Sequence, residues 1–177
     1  MSKEKSILFA KNLILENKKT RGFPKLAEVF IAEPNKLPGL ICLMGEEYKY
    51  PFPEYSSWLL THIAKKNKEI LYTHLDTLVD HLLNTKNESA RRNVLGAICH
   101  FPLTDYEEGQ LLNKLLEWIS NPTTKPAIVM YSLEKLVQFC QKYPEIKIEI
   151  EAILNFLDTS DVSPAIRVAK RKFLTGK

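Results

Sequence analysis

The stretch that decides the fold is residues 126–140, PAIVMYSLEKLVQFC, considered together with residues 164–174, PAIRVAKRKFL. Both open with Pro-Ala-Ile and continue with apolar residues at the spacing of one helical face. Proline suits the first position of a helix, where its missing N–H has no partner to lose. The two stretches begin 38 residues apart, which indicates a repeat around which the rest of the chain can be arranged.

The repeat extends towards the N-terminus as a series of helix pairs. Predicted helices begin at Pro53, Glu88, Pro126 and Pro164, at spacings of 35, 38 and 38 residues. Each follows another predicted helix, and these first helices span 37–45, 68–84, 105–120 and 144–157. Because one pair cannot bury its apolar stripe alone, stacked pairs with a continuous core are expected.

The chain is predicted to form a single all-α domain over 1–177. Residues 1–36 are expected to form N-terminal capping helices, and the pairs are expected at 37–66, 68–101, 105–142 and 144–175. Residues 146–151, IKIEIE, alternate like a half-buried strand. A lone strand would have no partner, so a helix is favoured there. Thr104 and Glu107 have the spacing of a capping box, and Ser163 suits an N-cap.

Composition excludes several classes of protein. The chain has 177 residues, 45% of them hydrophobic and 26% charged, with a net charge of +4. That charge is too mild to imply nucleic acid by itself. No apolar run approaches the roughly 18 residues of a membrane span, and no secretion signal is visible. Three dispersed cysteines, expected to be buried thiols, favour a reducing compartment, so a cytoplasmic location is predicted.

The sequence shows no pattern typical of a catalytic, cofactor or metal site, so no metal and no cofactor are predicted. His74 and His81 share a helical face but are two turns apart, on the order of 10 Å, which is too far for one ion. Asp76 and Asp80 face the same way and are interpreted as a solvated face. The six glycines form no phosphate-binding loop.

The repeat resembles those of HEAT-like proteins. In that family the second helix of a pair typically opens with proline, an aliphatic residue and arginine, with alanine and leucine further on. The closest match is the last copy, with Pro164, Ile166, Arg167, Ala169 and Leu174. Residues 89–98 match without the proline, whereas Val129 and Ser56 replace the arginine in two other copies. The order of elements is also similar to a small group of uncharacterised bacterial HEAT-like proteins.

The resemblance implies a right-handed α–α superhelix of about four stacked antiparallel helix pairs, with the second helices on its concave face. The second-helix segments 53–66, 88–101, 125–142 and 164–177 carry a summed charge of +9. The first-helix segments with their flanking residues, 37–47, 68–84, 105–120 and 144–161, carry −11. A basic concave surface is therefore one interpretation of this charge partition. The other is that charges at helix ends merely complement the helix dipoles. More than half of the +9 comes from residues 164–177.

Three hypotheses for function follow. The first is a non-enzymatic scaffold that binds an acidic protein partner on the basic concave surface through Arg91, Arg92, Arg167, Arg171 and Trp58. The second is nucleic-acid binding, because the architecture resembles HEAT-like alkylpurine DNA glycosylases, whose grooves carry Trp, Asp and Arg. Trp58 and Arg91 or Arg92 could correspond to two of these, but no Asp can be placed in the groove. The third is a structural subunit whose ends pair with a partner. Trp58 is expected either in the core or as a stacking platform in the groove.

Overall fold

A computed structural model describes residues 2–156 and 163–175. Throughout these residues the regular structure is helical, and the prediction of an all-α fold is confirmed. Short 3₁₀ helices at Phe23–Leu26, Pro34–Lys36 and Lys68–His74 separate some of the longer helices. The α-helices are α1 (Lys3–Asn17), α2 (Ala27–Ala32), α3 (Leu37–Cys42), α4 (Phe52–Lys66), α5 (Leu75–Asn84), α6 (Glu88–Ile98), α7 (Glu108–Ser120), α8 (Pro126–Lys142), α9 (Ile146–Phe156) and α10 (Pro164–Thr175).

The chain forms two compact units, residues 1–98 and 99–177. In the first unit α1 packs against α3, while α4 and α5 both pack against α6. Ser6 bridges α1 to the start of α3, because its Oγ accepts from the backbone N–H of Gly39 at 2.9 Å and donates to the carbonyl of Lys36 at 2.8 Å. At the α4–α6 contact, Asn93 Nδ2 donates to Ser57 Oγ at 3.1 Å inside the core.

In the second unit, α8 packs against α7, α9 and α10, and α7 packs against α9. Helices α8 and α10 begin at Pro126 and Pro164 as predicted, because proline is accommodated in the first turn. The backbone N–H of Ile166 donates to Ser163 Oγ at 3.4 Å, which confirms the predicted N-cap. The segment 146–151 is helical rather than extended. Leu157, predicted as the last residue of that helix, lies outside the described residues.

Several predicted boundaries differ from the structure. The segment 68–84 opens as a 3₁₀ helix and becomes α-helical only at Leu75, although its leucine stripe is buried as expected. Helix α6 ends at Ile98 instead of continuing to residue 101. The capping box was wrong: Thr104 Oγ1 accepts from the N–H of Tyr106 at 3.0 Å in a turn, and Glu107 adopts a left-handed conformation before α7. The turn between α6 and α7 therefore spans residues 99–107 and is stabilised by polar contacts of its own.

Within the part of the chain that the structure describes, no helix combines the length and the apolar composition that a membrane span requires.

Candidate functional site

The second unit contains an apolar cleft of about 800 Å³, here called the α8–α10 cleft. Helix α8 contributes Met130, Leu133 and Val137, which recur at intervals of three and four residues and so share one face. Helix α10 contributes Ala165, Ala169 and Phe173, which recur every four residues, together with Val168. Val137 and Val168 are 41% and 44% exposed, so aliphatic surface faces the opening. Apolar surface in a concave site is typical of places where ligands or partners bind.

Charged side chains also line the cleft. Lys147 at the start of α9 and Lys172 in α10 are basic, and Glu134 is acidic. Lys147 lies 3.7 Å from Glu151, one turn along the same helix. Helix α10 carries four basic residues and no acidic residue in its sequence PAIRVAKRKFLT. The α10 side of the cleft is therefore electropositive.

Cys99, His100 and Glu134 form a compact polar cluster, here called the Cys-His-Glu cluster. The Cys99 thiol donates to Glu134 Oε2, with a sulfur–oxygen distance of 3.6 Å, and His100 Nε2 lies 3.9 Å from the same oxygen. One ligand atom from each residue lies within 4.8 Å of the other two. His100 and Glu134 both line the α8–α10 cleft, and Cys99 is buried behind them.

The turn that follows α6 is fastened to α8 next to this cluster. Gln138 Nε2 donates to the carbonyl of Cys99 at 2.8 Å, and Lys135 Nζ donates to the carbonyl of Phe101 at 2.7 Å. Lys135 also reaches Pro102 O and Gln138 Oε1, at 3.4 and 3.3 Å. These bonds satisfy carbonyls near the end of α6 and hold Cys99 and His100 against α8.

Burial changes the acid–base properties of this region. The pKa of the Cys99 thiol is raised to about 12, mainly by burial and further by the Glu134 carboxylate. Burial lowers the pKa of Lys135 to about 8. The ammonium group of Lys135 acts on the pKa of Cys99 in the opposite direction but does not cancel its rise, so the Cys99 thiol stays protonated at neutral pH and is a poor nucleophile.

The structure assigns internal packing to part of the predicted basic surface in the first unit. The guanidinium of Arg91 donates to the carbonyl of Thr85 at 2.8 Å, which joins the start of α6 to the end of α5. Arg92 is exposed, and its guanidinium reaches Asn93 Oδ1 at 3.2 Å. Trp58 is 37% exposed and stacks on Phe23, with ring centroids 5.2 Å apart. Trp58 therefore lies at the edge of the core, with one part of its ring open to solvent.

Arg167 and Arg171 are exposed on α10, but neither lines the cleft. At 100° per residue they project away from the buried face of α10, which is formed by Ile166, Ala169 and Phe173. The structure does not bring Arg91 and Arg92 into one unit with Arg167 and Arg171.

Several of the charges that make up the charge partition are buried or are paired with a charge of opposite sign. Lys135 supplies one positive charge of the second-helix segment 125–142, but it is only 2% exposed and cannot contribute to a surface. Lys142 Nζ contacts Glu108 at 2.9 Å and Asp105 at 3.2 Å, so part of the opposite charge of neighbouring helices is neutralised in pairs. Lys66 similarly pairs with Glu28 in the first unit. Three further charged residues of these segments lie outside the described residues: Asp158, Asp161 and Lys177.

The cysteines and histidines are distributed as follows. None of Cys42, Cys99 and Cys140 takes part in a disulfide. Cys99 is buried, whereas Cys42 and Cys140 are only half-buried, so the prediction of three buried thiols was wrong for those two. His74 and His81 are half-buried in the first unit. The Cys-His-Glu cluster combines Cys99 and His100, which lie in the turn after α6, with Glu134 on α8. Inspection of residue spacings within single helices does not detect such a cluster.

The repeat period was the signal that could have revealed this cluster. In stacked repeats each unit contacts its neighbours, so residues about one period apart become spatial neighbours. Cys99 and Glu134 are 35 apart, Phe101 and Lys135 are 34 apart, and both pairs are in contact. The Ser57–Asn93 contact follows the same rule at a separation of 36.

The fold and the stacked packing of successive helices define an all-α helical-repeat protein. A family model described as HEAT repeat domain matches residues 42–177, and the chain therefore belongs to the HEAT repeat domain family. No curated protein and no solved structure matches the chain.

Proposed function

We propose that this protein is a non-enzymatic interaction scaffold whose binding surface is the α8–α10 cleft. The partner is an acidic protein that presents an amphipathic helix to the cleft. The observation that carries the proposal is the juxtaposition of an apolar cleft with a helix that has only basic charges. Membership of the HEAT repeat domain family supports a scaffold role, because such helical repeats commonly mediate protein interactions.

An amphipathic helix suits the shape and chemistry of the cleft. Its floor is aliphatic and aromatic, from Leu133, Ala169 and Phe173, and its exposed walls include Val137 and Val168. In helix-in-groove recognition, apolar anchors at intervals of three and four residues enter such a groove. When these anchors cover the exposed valines, the complex is stabilised by about 25 cal/mol for each Å² of apolar surface removed from water.

The charge of α10 favours acidic flanks on the partner helix. Lys172 lines the cleft and Lys147 stands at the start of α9, so both can approach a carboxylate on the bound helix. Arg167 and Arg171, which we propose as secondary contacts, extend the positive potential over the outer face of α10. Rim charges of this kind act mainly on the association rate and on the choice between partners.

A binding role is proposed, rather than an enzymatic one, because aliphatic side chains dominate the cleft. On the first unit, the predicted contacts with a partner remain a proposal, and they involve Arg91, Arg92 and Trp58. The cytoplasmic location is also a proposal, supported by three cysteines that form no disulfide, which suits a reducing compartment.

Isothermal titration calorimetry with two synthetic helical peptides tests this function. One peptide carries leucines along one helical face and glutamates beside them, and the other has lysine in place of every glutamate. We expect the glutamate peptide to bind and the lysine peptide to bind at least about tenfold more weakly, a difference of 1.4 kcal/mol. Val168→Asp should weaken binding of the glutamate peptide by a similar factor, because it places a carboxylate in the apolar wall.

Ile148→Asp is the matched control, since Ile148 is an exposed aliphatic residue of the same unit that does not line the cleft. It should leave the dissociation constant unchanged. Equal binding of both peptides, or wild-type affinity in the Val168→Asp variant, would contradict the proposal. Circular dichroism of each variant confirms that its helix content is unaltered.

A further inference from the structure

We propose that the Cys-His-Glu cluster is a binding site for one Zn²⁺ ion, coordinated by Cys99 Sγ, His100 Nε2 and Glu134 Oε2. This inference departs from the sequence-based prediction of no metal site. It does not depend on the proposed function of the α8–α10 cleft, because zinc binding requires no protein partner.

The type of ligand favours zinc. Thiolate, imidazole and carboxylate together form a mixed set of the kind that Zn²⁺ accepts, whereas Mg²⁺ and Ca²⁺ prefer oxygen ligands alone. A thiolate and a carboxylate carry two negative charges, which would neutralise the ion. Three protein ligands leave the fourth tetrahedral position to water or to another ligand.

Two of the three distances between ligand atoms are close to those around a coordinated ion, and the third, between Cys99 and His100, is at most 4.8 Å. With zinc bonds of about 2.0–2.3 Å in a tetrahedral arrangement, sulfur and oxygen ligands stand about 3.6 Å apart, and nitrogen and oxygen ligands about 3.3 Å apart. The Cys99–Glu134 distance is 3.6 Å, so this pair already has the required separation. His100 Nε2, at 3.9 Å from Glu134 Oε2, needs to approach by roughly half an ångström.

The protein restrains Cys99 and leaves His100 adjustable. Gln138 holds the backbone of Cys99, and Lys135 holds the next residues of the same turn through Phe101 O. The side chain of His100 is 72% exposed, so it can move towards the ion and provides a route of entry. The ammonium group of Lys135 donates to Phe101 O, Pro102 O and Gln138 Oε1. Supporting contacts of this type orient ligands and raise metal affinity.

The ion would replace one existing contact. In the metal-free protein the thiol hydrogen of Cys99 donates to Glu134. On binding, the thiol proton leaves to solvent, and the sulfur and the carboxylate oxygen both turn to the metal. No redox change is involved, since Zn²⁺ has no accessible second oxidation state.

Titration of the full-length, metal-free protein with zinc chloride, in competition with a chromophoric chelator of micromolar affinity, measures the site. We expect one equivalent of zinc to bind. Glu134→Gln and His100→Gln should each weaken zinc affinity by at least about tenfold, the lower end of the effect seen for merely supporting partners. Both residues are partly or largely exposed, so both variants are expected to fold.

Cobalt chloride gives an independent readout. Co²⁺ bound to Cys99 should show a thiolate-to-cobalt charge-transfer band and the strong visible bands of a tetrahedral ion, and Cys99→Ser should abolish the charge-transfer band. Cys140→Ser and Glu151→Gln are matched controls that alter a thiol and a carboxylate of the same unit outside the cluster, and both should bind like wild type.

The proposal is overturned if the protein fails to compete with the chelator. It is equally overturned if Glu134→Gln, His100→Gln and Cys99→Ser all retain wild-type zinc affinity, or if the cobalt spectrum disappears in Cys140→Ser instead of Cys99→Ser.

Discussion

Burial lowers the pKa of three histidines in the first unit: His62, His74 and His81. For His81, the carboxylates of Glu47 and Asp80 partly oppose the effect of burial. In the unfolded chain these side chains take up protons near the ordinary value of 6.5. The folded chain resists protonation until a lower pH, so below pH 6.5 the unfolded state binds more protons.

We therefore predict that the free energy of unfolding falls as the pH is lowered from about 6.5 through the folded-state pKa values of these histidines. Above pH 6.5 these histidines should not make the free energy of unfolding depend on pH. His81→Gln should flatten this dependence, because glutamine does not titrate. Urea unfolding followed by circular dichroism at a series of pH values measures the slope. An unchanged slope in His81→Gln would show that other groups control the pH dependence.

Lys135 shows what residue-level prediction from sequence could not supply. The sequence places it on the amphipathic helix α8, and a lysine in such a helix is ordinarily solvated. The structure buries it, because its ammonium group satisfies carbonyls of the turn after α6. The need for a buried donor arises from the end of a helix 37 residues earlier, and nothing in the local sequence around Lys135 indicates it.

The contact between α1 and α3 depends on the absence of a side chain at Gly39. A Cβ atom there would lie 2.2 Å from the backbone carbon of Ser6. We predict that Gly39→Ala lowers the free energy of unfolding by about 2–3 kcal/mol, because the two helices must separate and the Ser6 bridge to Gly39 N and Lys36 O is broken.

Gly22→Ala is the matched control for this substitution in the same unit. No atom lies within 4 Å of its added Cβ, and its φ of −82° suits alanine. It should be neutral or stabilising by up to about 1 kcal/mol. Equal urea midpoints for the two variants would show that α1 and α3 can move apart without cost.

At the level of helices, the sequence was informative where side chains act on their own backbone. Pro126, Pro164 and Ser163 determine helix starts locally, and these boundaries were predicted correctly. The turn at 99–107 was not predicted, because its conformation depends on Lys135 and Gln138 of another helix. The α8–α10 cleft was missed for the same reason: it exists only once two helices 38 residues apart are packed.

For the molecule as a whole, salt dependence distinguishes an acidic protein partner from nucleic acid. If the four predicted arginines Arg91, Arg92, Arg167 and Arg171 each contacted a duplex phosphate, log affinity would fall with log salt at a slope of about −3.6. Replacement of Arg91 and Arg92 by glutamate should then reduce the slope by about 1.8. Filter binding with a duplex DNA at several salt concentrations measures both slopes.

Under the proposed function we expect no such slope, because duplex binding should be weak in wild type and variants alike. The control for overall charge is a variant in which Glu107 and Glu108 are both replaced by lysine. This variant should not form a specific complex with DNA. A wild-type slope near −3.6 that falls in the arginine variant would instead favour the nucleic-acid hypothesis.

The sequence contains two tryptophans, and the structure places one in each compact unit. Trp58 is partly open to water and stacked on Phe23, whereas Trp118 is buried. Their indole emission should therefore differ in colour, with Trp58 emitting at the longer wavelength. A chain with only one of them, obtained by Trp58→Phe or Trp118→Phe, would carry an intrinsic optical label for a single unit. The melting of each half of the molecule can thus be observed separately, without any attached dye.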